Sequence, residues 1–97
     1  MSRDEELSRK RERRLELKYG LSRAEVEVIL ERIEYGLCDL CGRKPNGLWR
    51  KLHIDHDHTT GRVRGLLCAT CNSALGFIRD NPVVALRMAN YLGGKAP

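Results

Sequence analysis

Apolar and polar positions alternate along this chain with periods that predict a few short elements. Val26, Ile29, Leu30 and Ile33 recur at i, i+3, i+4 and i+7, the stripe of a helix with one buried face. Ser22 and Glu25 before that stripe form a capping-box signature, and Gly36 after it is a natural stop. A helix over 23–35 follows. Leu48 to Ile54 reads as a strand with mixed patterning, and Arg62 to Leu67 as a second. Turn residues Pro45-Asn46-Gly47 and Thr59-Thr60-Gly61 precede each strand, so the two would form a hairpin. Gly65 inside the second strand signals a bulge or a close approach of backbone.

The flanks are less regular. Residues 3–18 are dense in charge, with Leu7, Leu15 and Leu17 as sparse apolar positions. They read as a solvated helix laced with i,i+4 pairs such as Glu5–Arg9 and Glu6–Lys10 rather than as a frayed arm. After the hairpin, a short helix is expected from about Asn72, with Ala74, Leu75 and Ile78 inward. Asn81-Pro82 breaks it and starts another, whose stripe is Val84, Met88, Tyr91 and Leu92 before Gly93-Gly94. The elements make a small α+β chain: a helical extension at 1–36, a core at 37–80 and a C-terminal helix at 81–97.

Composition adds a constraint. With 97 residues, 41% apolar and 5% aromatic, the chain is thin for a self-sufficient core and calls for a staple. Cys38, Cys41, Cys68 and Cys71 supply one as two Cys-x-x-Cys pairs separated by 26 residues. Met1 to Arg14 is charged rather than apolar, and no apolar run reaches the length of a membrane span, so a cytosolic, non-membrane setting is expected. Disulfides are rare there, and the paired knuckles read as one structural Zn²⁺ held by four thiolates.

Charge is distributed unevenly. Residues 1–36 hold nine Lys/Arg and nine Asp/Glu; residues 37–97 hold nine Lys/Arg and four Asp/Glu, so the cysteine-bearing part carries the net +5. Such a surface attracts phosphates by counterion release. Against it stands a concentrated cluster, His53-Ile54-Asp55-His56-Asp57-His58, which contains every histidine of the chain. With the cysteines committed to zinc, oxygen donors beside imidazoles suit a harder ion, Mg²⁺ or Mn²⁺. Ideal strand alternation puts His53, Asp55 and Asp57 on one face and His56 and His58 on the other. The strand must therefore end, bulge or turn near Asp55 for Asp55 and His56 to serve one site.

Leu52 to His58, then Gly61-Arg62-Val63-Arg64-Gly65-Leu66-Leu67-Cys68, then Cys71-Asn72, resembles the recombination endonuclease VII family of phage HNH nucleases. The lead-in Tyr19-Gly20-Leu21-Ser22 is similar as well, and the resemblance covers roughly residues 19–80. It implies a zinc-stapled ββα-metal (HNH, His-Me finger) core with flanking helices. It further implies Asp55 and Asn72 as ligands of a catalytic Mg²⁺ or Mn²⁺, and His56 as the general base. By the same resemblance His58 positions substrate or ion, and His53 contacts the scissile phosphate. The implied reaction is hydrolysis of DNA to a 5′-phosphate and a 3′-hydroxyl, in the cytoplasm of an infected bacterium. Where the junction-resolving member carries a glutamate three residues after the asparagine, this chain has Leu75, and it ends soon after Leu92. Both nicking and resolution of branched DNA therefore stay open, as does partnership with a second copy or another phage protein. Two readings compete: a zinc-dependent DNA-binding module without catalysis, which would need no carboxylate beside the phosphate, and a protein-binding zinc knuckle, against which the basic balance and scarce aromatics weigh.

Overall fold

A computed structural model describes residues 2–45, 47 and 50–94. Among them are four helices, α1 (Arg3–Tyr19), α2 (Arg23–Tyr35), α3 (Ala69–Phe77) and α4 (Pro82–Tyr91), and two antiparallel strands, β1 (His53–His56) and β2 (Val63–Leu67). The chain is α+β, as its patterning predicts.

Helix α2 has the expected bounds because its ends are chemically marked. The Ser22 hydroxyl accepts from the Glu25 N–H at 3.1 Å, and the Glu25 carboxylate accepts from the Ser22 N–H at 3.0 Å. At the other end Gly36 is needed for space: a Cβ there would lie 2.6 Å from the Arg32 carbonyl oxygen. Helix α1 packs on α2 and buries none of its own residues, as a solvated helix should. Its ion pair is Arg13–Glu16 at 3.4 Å; Glu5–Arg9 and Glu6–Lys10 do not close.

The core is small: Ile33, Cys38, Leu52, Leu66 and Leu67, with Ile29, Leu30, Ile54, Cys68, Cys71 and Leu75 packed around them. It joins α2, the cysteines, the hairpin and α3. Leu66 is 1% exposed, and Val26 of α2, outside this cluster, is fully buried.

Three expectations need correction. The first strand does not run from 48 to 54. Leu48 and Trp49, like Asn46 of the expected turn, lie outside the described residues, and β1 begins only at His53 and continues to His56. The reason is pairing: β2 spans only Val63–Leu67, and the N–H of buried Leu52 donates instead to the Ile33 carbonyl at 3.1 Å. Helix α3 starts at Ala69 rather than near Asn72, because Cys68 is its N-cap: the Cys68 carbonyl accepts from the Asn72 N–H at 2.9 Å, and its Sγ from the Cys71 N–H at 3.5 Å. Ala74 faces solvent, leaving Leu75 as the inward contact. The α4 stripe lies largely in solvent. Met88, Tyr91 and Leu92 are exposed, although the helix itself starts as predicted, with the Asn81 carboxamide accepting from the Val83 and Val84 N–H groups.

Candidate active site and metal centre

The four cysteines meet. Their sulfurs lie within 4.8 Å of one another, and Cys41 and Cys68, 27 residues apart, have theirs at 3.9 Å. Tetrahedral zinc with sulfur at about 2.3 Å requires neighbouring sulfurs about 3.8 Å apart. Backbone N–H groups of Leu40 and Cys41 point at the Cys38 sulfur at 3.4 and 3.5 Å. Burial opposes ionisation of Cys38, but the N–H groups of Cys41, Cys68 and Leu40 outweigh it and bring the thiol to about 6. Burial, followed by the neighbouring thiols, pushes Cys71 up to about 12. Four thiolates cannot coexist here without a cation, and a divalent soft ion meets that need. Gly42, at φ 73°, turns the backbone behind the first pair, and its N–H donates to the Cys38 carbonyl at 2.9 Å.

The hairpin carries the anticipated irregularity. Asp55 pairs with Gly65, but His56 pairs with Val63, so Arg64 is an extra residue on β2. The bulge falls where a break was expected, but its extra residue is on β2; β1 keeps its alternation, and Asp55 and His56 are not brought to one face. Gly65 is also a close approach, since a Cβ there would meet the Asp39 carboxylate at 3.0 Å.

Around that bulge the predicted residues divide into three groups. His53 and Asn72 line one shallow concavity with Thr70, Ser73 and Phe77. Asp55 is gripped by Arg64, whose Nε and Nη2 donate to its two oxygens at 2.6 and 3.1 Å. His56 lies on the other face of β1, its ring 4.8 Å from that of His58 in an edge contact and 6.0 Å from that of Tyr19. The groups are linked through the loop after α3: Arg64 reaches Asp80 at 3.4 Å, and Asp80 meets His58 Nε2 at 3.1 Å. Asp55, Arg64, Asp80 and His58 thus form one continuous chain of polar contacts, and the His58 ring meets that of His56 edge-on. Asp57 stands apart as a turn builder. Its Oδ1 accepts from the Thr60 and Thr59 N–H groups, which hold the carboxyl below its ordinary range. Among the described residues the cysteines are the one set of His, Cys, Asp and Glu donors close enough together to hold an ion. The histidine cluster does not make a second.

A profile for recombination endonuclease VII matches residues 12–94, which is most of the chain. The chain belongs to the recombination endonuclease VII family. It is similar to the Gene 59 protein of Mycobacterium phage D29, with 43% identity over 82 residues, 84% of this chain and 48% of that protein. The Gene 59 protein of Mycobacterium phage L5 is also 43% identical over 82 residues, 84% of this chain and 49% of its own length. The chain therefore spans about half the length of these curated relatives. No solved structure matches it significantly. No described helix is long and apolar enough to cross a membrane.

Sequence reasoning missed Arg64 and Asp80. Arg64 stood inside the motif with no role attached. Gly65 hinted at the bulge that frees it, but nothing in the periodicity joined Asp80 to the hairpin. Tyr19 belongs to the lead-in before α2, and the structure sets it against His56.

Proposed function

We propose that this chain is a metal-dependent DNA endonuclease with a ββα-metal core of the HNH type at 37–80, a helical extension at 1–36 and a C-terminal helix at 81–97. One observation carries the reading. A thiolate-clamped hairpin leads directly into α3, with a register break between Asp55 and His56 and with Asn72 in the first turns of the helix. Asp55 and Asn72 carry oxygen donors of the kind a hard ion takes, and the guanidinium on Asp55 already stands where a cation is favourable. When bound, Mg²⁺ or Mn²⁺ would supply charge neutralisation at the scissile phosphate.

The remaining chemistry belongs to side chains. His56, oriented by Tyr19 and His58, takes the proton from the attacking water. His58, anchored by Asp80, positions the substrate; His53, beside Asn72, contacts the scissile phosphate. Water attacks phosphorus, the 3′-oxygen leaves, and the products are a 5′-phosphate and a 3′-hydroxyl. The basic surface of residues 37–97 draws DNA to the site, in keeping with action in the cytoplasm of an infected bacterium.

A second reading, a zinc-dependent DNA-binding module without catalysis, is favoured by the forked Arg64–Asp55 pair, which neutralises the essential carboxylate. Zinc-loaded protein incubated with supercoiled plasmid, linear DNA and a four-way junction, each with Mg²⁺, Mn²⁺ or chelator, decides between them. Metal-dependent nicking is expected. Binding without cleavage under every condition would establish the second reading. One site cuts one strand, so paired cuts require two chains or a phage protein partner; light scattering over a concentration series reads the assembly that accompanies them.

A further inference from the structure

The forked contact between Arg64 and Asp55 is shaped to be exchanged. Arg64 is the extra residue of the bulge and has no ladder partner on β1. A bulged residue can re-aim its side chain without breaking the sheet on either side. Its guanidinium is half exposed, and it already touches a second carboxylate, Asp80, at 3.4 Å. Arg64 therefore sits between two seats, with the tighter grip on Asp55.

The second seat is built by unusual backbone. Helix α3 ends in a Schellman arrangement: the Asp80 N–H donates to the Leu75 carbonyl at 2.9 Å and the Arg79 N–H to the Gly76 carbonyl at 3.0 Å. That motif needs one left-handed residue, supplied by Arg79 at φ 55°. Asp80 is left-handed as well, at φ 54°, which helix termination does not require. From that conformation its carboxylate meets both Arg64 and His58. Strained backbone of this kind persists where surrounding contacts hold it in place.

We infer that Arg64 is an exchangeable counter-cation for Asp55, with Asp80 as its second seat, so that a divalent cation enters the site as the guanidinium moves from Asp55 to Asp80. This rests on the reading of Asp55 as a metal ligand. The physical reason is like-charge repulsion. A guanidinium stays protonated under all working conditions, so it cannot remain on the carboxylate beside a divalent ion without large cost. Before the ion arrives, Arg64 keeps the half-buried Asp55 neutralised. Afterwards, Asp80 keeps Arg64 paired within the site.

Mn²⁺ binding without DNA tests this, read by calorimetry and by loss of the free-ion electron paramagnetic resonance signal, on the zinc-loaded full chain. Arg64→Gln should bind Mn²⁺ about tenfold more tightly than the parent, because the competitor is gone. Asp80→Asn should bind more weakly, because Arg64 loses its alternative. In the double variant the Asp80→Asn effect should vanish. If Asp80 acted only through its own charge, the weakening would persist, and the second-seat role would be overturned. Should Arg64→Gln lose zinc or helix content, Arg64→Lys carries the test, since lysine lacks the fork and should also bind more tightly. Parent-like or weaker binding by the folded variant, with binding abolished in Asp55→Asn, would overturn the exchange and leave the metal reading intact. Unchanged Mn²⁺ binding in Asp55→Asn would instead overturn the role of Asp55 itself.

Discussion

Asp39 and Leu66 are bonded twice: the Asp39 N–H donates to the Leu66 carbonyl at 2.9 Å, and the Leu66 N–H donates to the Asp39 carboxylate at 2.8 Å. This two-way clamp fastens the first cysteine pair to β2. Arg32 holds the same carboxylate from α2 at 2.6 Å. One aspartate in the knuckle thus ties helix, metal centre and hairpin together. Asp39→Ala leaves the N–H of buried Leu66 without a partner and should cost about 1–3 kcal/mol. Asp39→Asn, which keeps an acceptor, should cost less. Thermal unfolding of the zinc-loaded variants measures both.

The same clamp makes Gly65 intolerant of a side chain. A Cβ would lie 3.0 Å from an Asp39 oxygen that Leu66 and Arg32 hold in place, so the neighbour cannot give way. Gly65→Ala should destabilise by about 1–3 kcal/mol in a denaturant titration. An unchanged midpoint would show that the carboxylate moves freely.

Zinc removal should unfold the chain rather than merely silence it. Among the described residues only six hydrophobic side chains are buried, one of them Cys38, and the centre joins both sides of the hairpin. One Zn²⁺ per chain is expected by metal analysis. A strong chelator, or Cys71→Ser, should abolish cooperative thermal unfolding. A metal-free protein that keeps a sharp melting transition would contradict the staple.

His56→Ala should separate catalysis from fold. The ring is partly exposed and supports no core contact, so the variant should stay zinc-loaded and bind DNA. Plasmid cleavage should fall about 10²–10⁴-fold, the usual contribution of a positioned base. Undiminished cutting would remove His56 from the mechanism.

Acid should loosen α2 at its start. The Ser22 N–H, and then its hydroxyl, hold Glu25 below its ordinary value of 4.5. A lowered carboxyl contributes stability that is present above the ordinary value and is lost as pH falls through the lowered one. A carbon-13 titration of the Glu25 carboxyl should show a midpoint below 4.5. Ser22→Ala should raise it part of the way, since the backbone donor remains, and should cost about 1 kcal/mol of stability.

Local chemistry is what the sequence determined by itself. The capping box bounded α2, Asn81-Pro82 started α4, and the cysteine spacing identified the metal centre, because each depends on residues within a turn or on a fixed ligand geometry. The alternation that sets Asp55 and His56 on different faces of β1 was likewise legible, since it is a local rule. Tertiary structure decided what depends on partners distant in the chain. β1 begins at His53 because β2 is short and Leu52 bonds to Ile33 instead of to a strand. Ile29, Leu30 and Ile33 of the α2 stripe pack into the core with hairpin residues while Met88, Tyr91 and Leu92 of the similar α4 stripe are left in solvent, and periodicity treats the two alike. Asp55 meets Arg64, nine residues on, and Arg64 meets Asp80 beyond the next helix. No pattern along the chain encodes which of two guanidinium seats is occupied, because that balance is set by charges that only folding brings within a few ångströms of each other.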